Sequence, residues 1–582
     1  MKRTATPMPI ILLSVATLFA QVSAEERSSA SGGLAAHAKP AQLAGVVTRD
    51  PGGEPVKKAL IELIAESQAD GENYTATSGA DGSFRMENVL PGRYRLFVER
   101  VGYQEVDRLR HHMEGRTLTL AAGQELKDIF IRLQASAVVE GRVTDEDGDP
   151  MPEAQVAVLH QTFVSGHIRW EQMSAERTND LGEYRIAGIA AGNYFVSVAP
   201  PPDFRSLIET NGTTTAMGIP GGSPAEKPAI ASYQTTYYPG TRDRAQAASI
   251  QLRPGDDFPV NFSLTPSPSL SIRGSVVNLP PGFTAAIMLQ SRDFNLVLNG
   301  AEVRKDGSFE VRDVSPGNYT LVATVDDSPV AMMARQELQV TANVDGLRLT
   351  PQPGGTVRGH FSVDPGKIGV AGKSNLDRIF LLLRSAEGDD GALGSFTTSG
   401  GFSPLIQVNA DASFEWKNVP AGHYSIEISD ASATPDWFVK SVLMAGRNVV
   451  DSGFGVVGGA AAIDVIAGAN GASAEGVASD RHDEPAANAT IVAVPEARLR
   501  DHPDRYRKTS TDQTGHFVLR GLAPGDYTLF AWDSVDGEAW YDPEFIKIYE
   551  GQGKALRVNE GERVTVQLKL GFAPDESPQE QR

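Results

Sequence analysis

Apolar and polar residues alternate, position by position, in short runs spread along the whole chain. The clearest run is Tyr94/Leu96/Val98. It recurs as Tyr194/Val196/Val198, Tyr319/Leu321/Ala323, Tyr424/Ile426/Ile428 and Tyr527/Leu529/Ala531. The opposite positions are mostly polar, as with Arg95, Glu99, Ser197, Thr320 and Glu427. A period of two turns one face to a core and the other to solvent, so each run predicts a half-buried strand. Ten residues before each leading Tyr stands a second aromatic: Phe84, Tyr184, Phe309, Phe414 and Phe517. The spacing inside this cassette is fixed while the segments between cassettes vary in length. That combination predicts five tandem modules.

Turn residues punctuate the cassette. Asp81-Gly82 and Asp306-Gly307 read as hairpin turns in which Gly supplies a positive φ. Pro91-Gly92, Pro316-Gly317 and Pro524-Gly525 fit type II turns, and Ala191-Gly192 and Ala421-Gly422 keep the Gly. Upstream, each module opens on a short strand: Gly45-Val46-Val47, Gly141-Arg142-Val143, Gly274-Ser275-Val276, Gly359-His360-Phe361 and Gly476-Val477-Ala478. A second apolar strand follows, such as Ala154-Gln155-Val156-Ala157-Val158, and modules close on runs like Val564-Thr565-Val566-Gln567-Leu568. No long helical period stands out beyond the N-terminal segment. The expected fold is all-β, with five tandem antiparallel β-sandwich modules at residues 41–134, 137–266, 269–350, 354–467 and 471–571. Pro266-Ser267-Pro268 and Pro351-Gln352-Pro353 read as stiff joints, which predicts a row of modules forming a semi-rigid rod. Residues 25–40 and 572–582 are expected to be disordered, and 203–232 to be a Gly/Pro/Thr-rich insertion in module 2.

The N-terminus changes the setting. Lys2 and Arg3 precede an apolar stretch from Ile10 to Ala20, and Val22-Ser23-Ala24 offers a small-residue cleavage site. Residues 1–24 therefore read as a cleaved signal peptide. No later run is long and apolar enough to span a bilayer, since the stretch at 455–475 is Gly-rich and broken by Asp464. The chain has no cysteine, which excludes disulfides, thiolate metal sites and Cys nucleophiles. Export without cysteine points to a bacterial envelope: periplasm, outer-membrane surface or extracellular space. A formal charge of −20 opposes nucleic acid as a partner, because phosphate neutralisation needs clustered Lys and Arg.

Gly141-Arg142-Val143-Thr144-Asp145 with Asp147-Gly148-Asp149-Pro150, then Asp180-Leu181-Gly182-Glu183-Tyr184 and Gly192-Asn193-Tyr194, resemble the carboxypeptidase regulatory-like repeat. That repeat is a transthyretin-like (prealbumin-like) β-sandwich, grouped with carbohydrate-binding-like folds. The resemblance covers most of the chain after residue 24. It is strong in modules 1, 2 and 5 and weaker in modules 3 and 4. Segments around Trp437-Phe438-Val439 and Trp540-Tyr541-Asp542-Pro543 are similar to large exported multi-repeat proteins of soil bacteria. The resemblance implies a non-catalytic module with no catalytic residue to carry over.

Several motifs bear on chemistry, and most have plain structural readings. His111-His112-Met113-Glu114 contains a His-x-x-Glu, but a catalytic zinc needs a third ligand and an enzyme domain around it, so a solvated loop is expected. Asp145, Asp147 and Asp149 alternate like the start of a calcium loop, yet the twelfth position is Val156, so a tight acidic turn is expected. Nucleophile elbows and phosphate-binding Gly loops are absent, and no first strand carries the lysine that an isopeptide crosslink would need. The five repeated Tyr residues are expected in the core, each hydroxyl bonding a turn carbonyl. Module 5 deviates: its outward positions are Phe530 and Trp532, and the next loop adds Trp540 and Tyr541 among acids. Aromatics beside carboxylates suit stacking on sugar rings, or docking of a protein. Tyr237-Tyr238-Pro239 in module 2 is comparable, so the alternative is that loop aromatics cover a sandwich edge. The sequence thus predicts no catalytic residue, metal or cofactor. It predicts a non-catalytic envelope scaffold with a protein or polysaccharide partner. The alternative is carbohydrate binding through Phe530, Trp532, Trp540 and Tyr541, and a hidden hydrolase ranks last.

Overall fold

The computed structural model describes residues 39–66, 72–106, 115–164, 167–200, 233–266, 270–279, 281–292, 296–314, 316–325, 332–364, 376–385, 403–429 and 436–572. The expected leader at 1–24, the insertion at 203–232, the motif at 111–114 and nearly all of the 572–582 tail lie outside the described residues.

Module 1 sets the plan. One sheet runs Ser83–Val89, Ala41–Arg49, Glu125–Ala135, Tyr103–Glu105. The facing sheet runs Tyr74–Thr77, Leu60–Ala65, Gly92–Glu99, Arg116–Leu120. In every module the first strand pairs antiparallel with the strand bearing the cassette aromatic. Its other edge pairs parallel with a strand from the module's end. Each sandwich therefore sets parallel pairing beside antiparallel pairing, shared in module 2 by two short strands, Asp257–Pro259 and Phe262–Ser263. The Tyr-led strand lies in the second sheet, and the two inner faces enclose a separate apolar core in each module.

Four recurring contacts explain the cassette. First, the cassette aromatic lies opposite the first-strand glycine in every module: Gly45↔Phe84, Gly141↔Tyr184, Gly274↔Phe309, Gly359↔Phe414 and Gly476↔Phe517. A Cβ on Gly45 would stand 2.3 Å from the Ile129 carbonyl oxygen and 2.8 Å from the Phe84 ring. The glycine is there because ring and backbone fill that space. Second, the Tyr hydroxyl donates to the carbonyl four residues earlier: Tyr94 to Leu90 at 2.8 Å, Tyr424 to Pro420 at 2.9 Å and Tyr527 to Ala523 at 3.0 Å. That bond ties the strand to the turn before it, as the sequence predicts.

Third, an Asx turn precedes each aromatic. Asp81, Asp306 and Asp411 each accept from the backbone N–H and hydroxyl of the serine two residues on. In modules 2 and 5 the cap shifts back to Asn179 and Asp512. Fourth, a buried hydroxyl six residues before the aromatic staples the loop beneath it. Ser78 donates to the Val56 carbonyl at 2.7 Å and accepts from Ala59 N–H at 2.9 Å. Thr178 and Thr511 do the same in modules 2 and 5. Modules 3 and 4 have Val303 and Val408 at this position, both buried, and so lack the staple.

The acidic turn is also structural. Asp145 Oδ1 accepts from the backbone N–H of Asp147 at 3.0 Å and of Asp149 at 2.9 Å. Asp480 repeats this in module 5, toward His482 and Glu484.

The expected single row of modules is not what the chain forms. Module 5 touches modules 1 and 2 as well as its sequence neighbour module 4. The reason lies in the side chains on its outer faces.

Candidate functional site

The outer face of the module 5 sheet carries Val492 and Val494 from the strand Thr490–Pro495, and Phe530 and Trp532 from Gly525–Trp532. These apolar side chains break the period-two alternation, and something must cover them. The chain supplies the cover itself. After the strand it turns through Val535 and the short helical turn Ala539–Tyr541, then enters the α-helix Pro543–Tyr549. Asp542 caps that helix by accepting from Glu544 N–H, and Pro543 occupies its first turn. Phe545, Ile546 and Tyr549 then point back onto the sheet.

The result is a second core. Phe530 and Trp532 stack at 5.3 Å with rings 8° from parallel. Trp532 meets the Phe545 and Tyr549 rings, each at 5.6 Å. Tyr541 stands edge-on to Tyr506 at 4.5 Å, and the Lys508 ammonium lies 5.5 Å over the Trp540 ring.

The expectation of an exposed aromatic platform is therefore corrected. Phe530, Trp532 and Trp540 are 3%, 1% and 3% exposed, and Tyr541 is half-buried with its hydroxyl pushed up in pKa by burial. A sugar needs an open ring face to stack on, and these rings are already stacked on protein. The edge-covering alternative describes them, and module 2 matches it. There Trp170 stacks on Phe195 at 4.1 Å, Tyr237 meets Trp170 edge-on, and Arg244 lies 5.3 Å over the indole.

The covered face of module 5 doubles as a socket. The hairpin of module 2 (Gln155–Val164 and His167–Arg177) ends at Phe163, which packs into the cluster 6.4 Å from Phe545. Glu538 N–H donates to the Phe163 carbonyl at 2.9 Å, and Thr162 Oγ1 donates to Asp536 Oδ1 at 3.2 Å. Gly537 sits between them at φ 53°, where a Cβ would lie 2.2 Å from the Phe163 carbonyl oxygen.

Module 1 docks beside this socket. Gln513 brackets Thr119, accepting from its N–H at 3.0 Å and donating to its carbonyl at 2.8 Å. Arg95 Nη1 donates to Ser510 Oγ at 2.7 Å, and Arg93 donates to the Ser510 carbonyl. Thr117 and Ser510 share a hydroxyl bond at 3.1 Å, both buried in the contact. Glu66 lies against both arginines and holds them in place.

Module 4 docks through charge. Arg505 Nη2 reaches Asp451 Oδ1 at 2.7 Å, and Lys440 reaches Glu560 at 2.9 Å. Between the modules lie two buried acids. Burial pushes the Glu427 carboxyl up in pKa despite its 2.7 Å contact with Arg384. Burial likewise pushes Asp504 up, outweighing Arg505, His502 and Arg507. Asp504 Oδ1 makes no hydrogen bond.

Sequence reasoning singled out the four module 5 aromatics and left open whether they are exposed or cover an edge; the structure buries Phe530, Trp532 and Trp540. That reasoning missed Phe163, Ser510, Gln513 and the 543–549 helix. The helix had a readable signal: Asp542 before Pro543, with apolar Phe545, Ile546 and Tyr549 on one side. The docking residues had none, because their partners lie hundreds of positions away.

Among the described residues, no group of three or more His, Asp and Glu is placed to hold a metal ion. No helix among them is long and apolar enough to cross a membrane.

Residues 42–134 and 138–206 match the model of the carboxypeptidase regulatory-like domain family, so modules 1 and 2 are domains of that type. No curated protein matches the chain. Among solved structures, the Bacillus anthracis TIE protein is similar at 10% identity over 54% of this chain and 51% of that one, with a TM-score of 0.15. The chain thus spans about half the length of that protein. The minor pilin GBS52 of Streptococcus agalactiae is similar at 13% identity over 39% of this chain and 96% of that one, with a TM-score of 0.21. The shaft pilin SpaA of Lactobacillus rhamnosus GG is similar at 12% identity over 40% and 98%, with a TM-score of 0.18.

Proposed function

We propose that this chain is a non-catalytic, exported scaffold of the bacterial cell envelope whose module 5 gathers modules 1, 2 and 4 around it. The observation that carries this reading is the use made of the chain's distinctive residues. The repeated ones form the fold: glycine under aromatic, Tyr hydroxyl to carbonyl, Asx turn. The unrepeated aromatics of module 5 form a covered face that receives module 2. The side chains that would be first candidates for chemistry are thus committed to packing. The leader-like N-terminus supports export, and the acidic balance supports a protein or polysaccharide neighbour over nucleic acid.

Two measurements test the proposal. The first is fractionation of the native cell, followed by crosslinking and identification of what is captured. Recovery from the cytosol would overturn the envelope assignment. The second is a hydrolase screen of the purified chain with peptide, ester and glycoside substrates. Turnover abolished by a single substitution at a described His, Asp or Glu would overturn the non-catalytic part.

A further inference from the structure

The contacts divide the molecule into two arms. Modules 1 and 2 form one. Ser136 alone separates the last strand of module 1 from the first of module 2. Its N–H donates to the Gly102 carbonyl at 3.0 Å, and Gln104 of module 1 donates to the Gly188 carbonyl of module 2 at 2.8 Å. Modules 3, 4 and 5 form the other. The strand Gln352–Pro353 pairs with Met332–Val340 of module 3 one residue before module 4 begins its strand Gly355–Val363. Gly471 N–H donates to the Asp436 carbonyl where module 4 passes into module 5. The arms meet where module 5 holds Thr117, Thr119, Arg93 and Arg95 of module 1 and Phe163 of module 2, and where Arg169 of module 2 donates to the Arg292 carbonyl of module 3.

We propose that this clasp surface of module 5 also takes modules 1 and 2 of a second copy of the chain, so that the closed monomer exchanges with a reciprocally clasped dimer. Three observations support a second copy as the partner. Each contact across the clasp joins residues more than 370 positions apart, and the cores of modules 1 and 5 share no residue. The main core of each module therefore closes within its own arm, and Phe163 crosses from module 2 into the second cluster of module 5. The clasp is mostly hydrogen bonds, which water replaces on opening, and the one apolar insertion is Phe163. The surfaces on the two arms differ, so the contact is heterologous. Between copies it closes only when both chains exchange arms, and the exchanged pair then makes the same contacts as two monomers. Concentration decides between the forms, because the covalent connection presents each arm to its own partner at an effective concentration of about 1 mM.

The chain lacks cysteine, so the contact can be trapped cleanly. Thr117→Cys and Ser510→Cys replace two hydroxyls already 3.1 Å apart. The doubly substituted chain is expected to oxidise to an internally linked monomer when dilute. The two singly substituted chains, mixed at about 1 mM to match that effective concentration, are expected to give a species of twice the mass whose digest contains the 117–510 linkage. Its yield should fall on dilution before oxidation. If the double variant links internally while the mixed single variants give no 117–510 product above the 117–117 and 510–510 background, exchange is refuted. If the double variant does not link, the clasp itself is refuted. Neither failure bears on envelope location, which fractionation tests separately.

Discussion

Trp532→Ala separates a second core from a ligand platform. The side chain is 1% exposed, stacked on Phe530 and edged by Phe545 and Tyr549. A buried indole hides about 200 Å², which at about 25 cal/mol per Å² corresponds to about 5 kcal/mol. Partial collapse of the cavity brings the expected loss to about 3–5 kcal/mol. A surface platform residue would change stability by less than about 0.5 kcal/mol. The indole Nε1 makes no hydrogen bond. Trp532→Phe therefore loses volume alone, and we expect a milder loss of about 1–2 kcal/mol. Five modules do not unfold in one step, so a global melting curve would blur the effect. Amide hydrogen exchange resolves it, read on peptides covering 490–495 and 525–532 in the full chain. Protection there should drop by about two to four orders of magnitude in Trp532→Ala, while peptides of modules 3 and 4 stay unchanged. The 155–164 strand should also lose protection, because its tip sits in the same cluster. Unchanged exchange in module 5, combined with loss of binding to some polysaccharide, would refute the packing argument and revive the sugar platform.

Other substitutions test the remaining contacts. Gly476→Ala places a Cβ 1.6 Å from the Val566 carbonyl oxygen, so the parallel pair must part. We expect a loss of at least about 2 kcal/mol, read as local exchange in 472–479 and 563–569. Tyr424→Phe removes the bond to the Pro420 carbonyl and should destabilise module 4 by about 1 kcal/mol, with no change in the other modules. The acids respond to pH with opposite signs. Asp81, Asp306 and Asp411 are held below their ordinary value of 3.8, first by the hydroxyl of the following serine. Their contribution is present above the ordinary carboxylate value and is lost as pH falls through the lowered one, which NMR titration of the three carboxyls would follow. Glu427 is pushed the other way, so the folded junction binds its proton more tightly than the unfolded chain does. Stability of the junction between modules 4 and 5 should rise as pH falls through the raised value toward 4.5, and Glu427→Gln should flatten that rise.

The fold was legible because its determinants are local and repeated. Alternation behind Tyr94, Tyr194, Tyr319, Tyr424 and Tyr527 gave the strands, and the fixed spacing to the preceding aromatic gave the modules. Two recurring contacts escaped notice although their residues were in view. The first-strand glycines read as strand openings, and each also stands opposite an aromatic 35 to 55 positions later. The staple hydroxyls Ser78, Thr178 and Thr511 are buried, and nothing local in the sequence says so. Val303 and Val408 stand in their place in modules 3 and 4. The aromatic deviation in module 5 was visible, but not its sign. A run that breaks alternation on the solvent face says that the face is covered. It does not say by what.

That ambiguity has a physical resolution in how repeats diverge. The inner faces of all five modules are under one constraint, since each must close its own core, and so they keep the same residues. The outer faces are free of it, and there the modules differ. Module 1 presents Arg93, Arg95 and Thr117 from strands of its second sheet, all polar and able to bond a neighbour's backbone and hydroxyls. Module 2 extends a hairpin whose tip carries Phe163 beyond its own core. Module 5 offers the apolar face that accepts the tip and, next to it, Ser510 and Gln513, which accept module 1. A chain of independent sandwiches gains a defined arrangement only if some outer faces stop being soluble surfaces. Module 5 has given up the most, and it is the module on which three others converge.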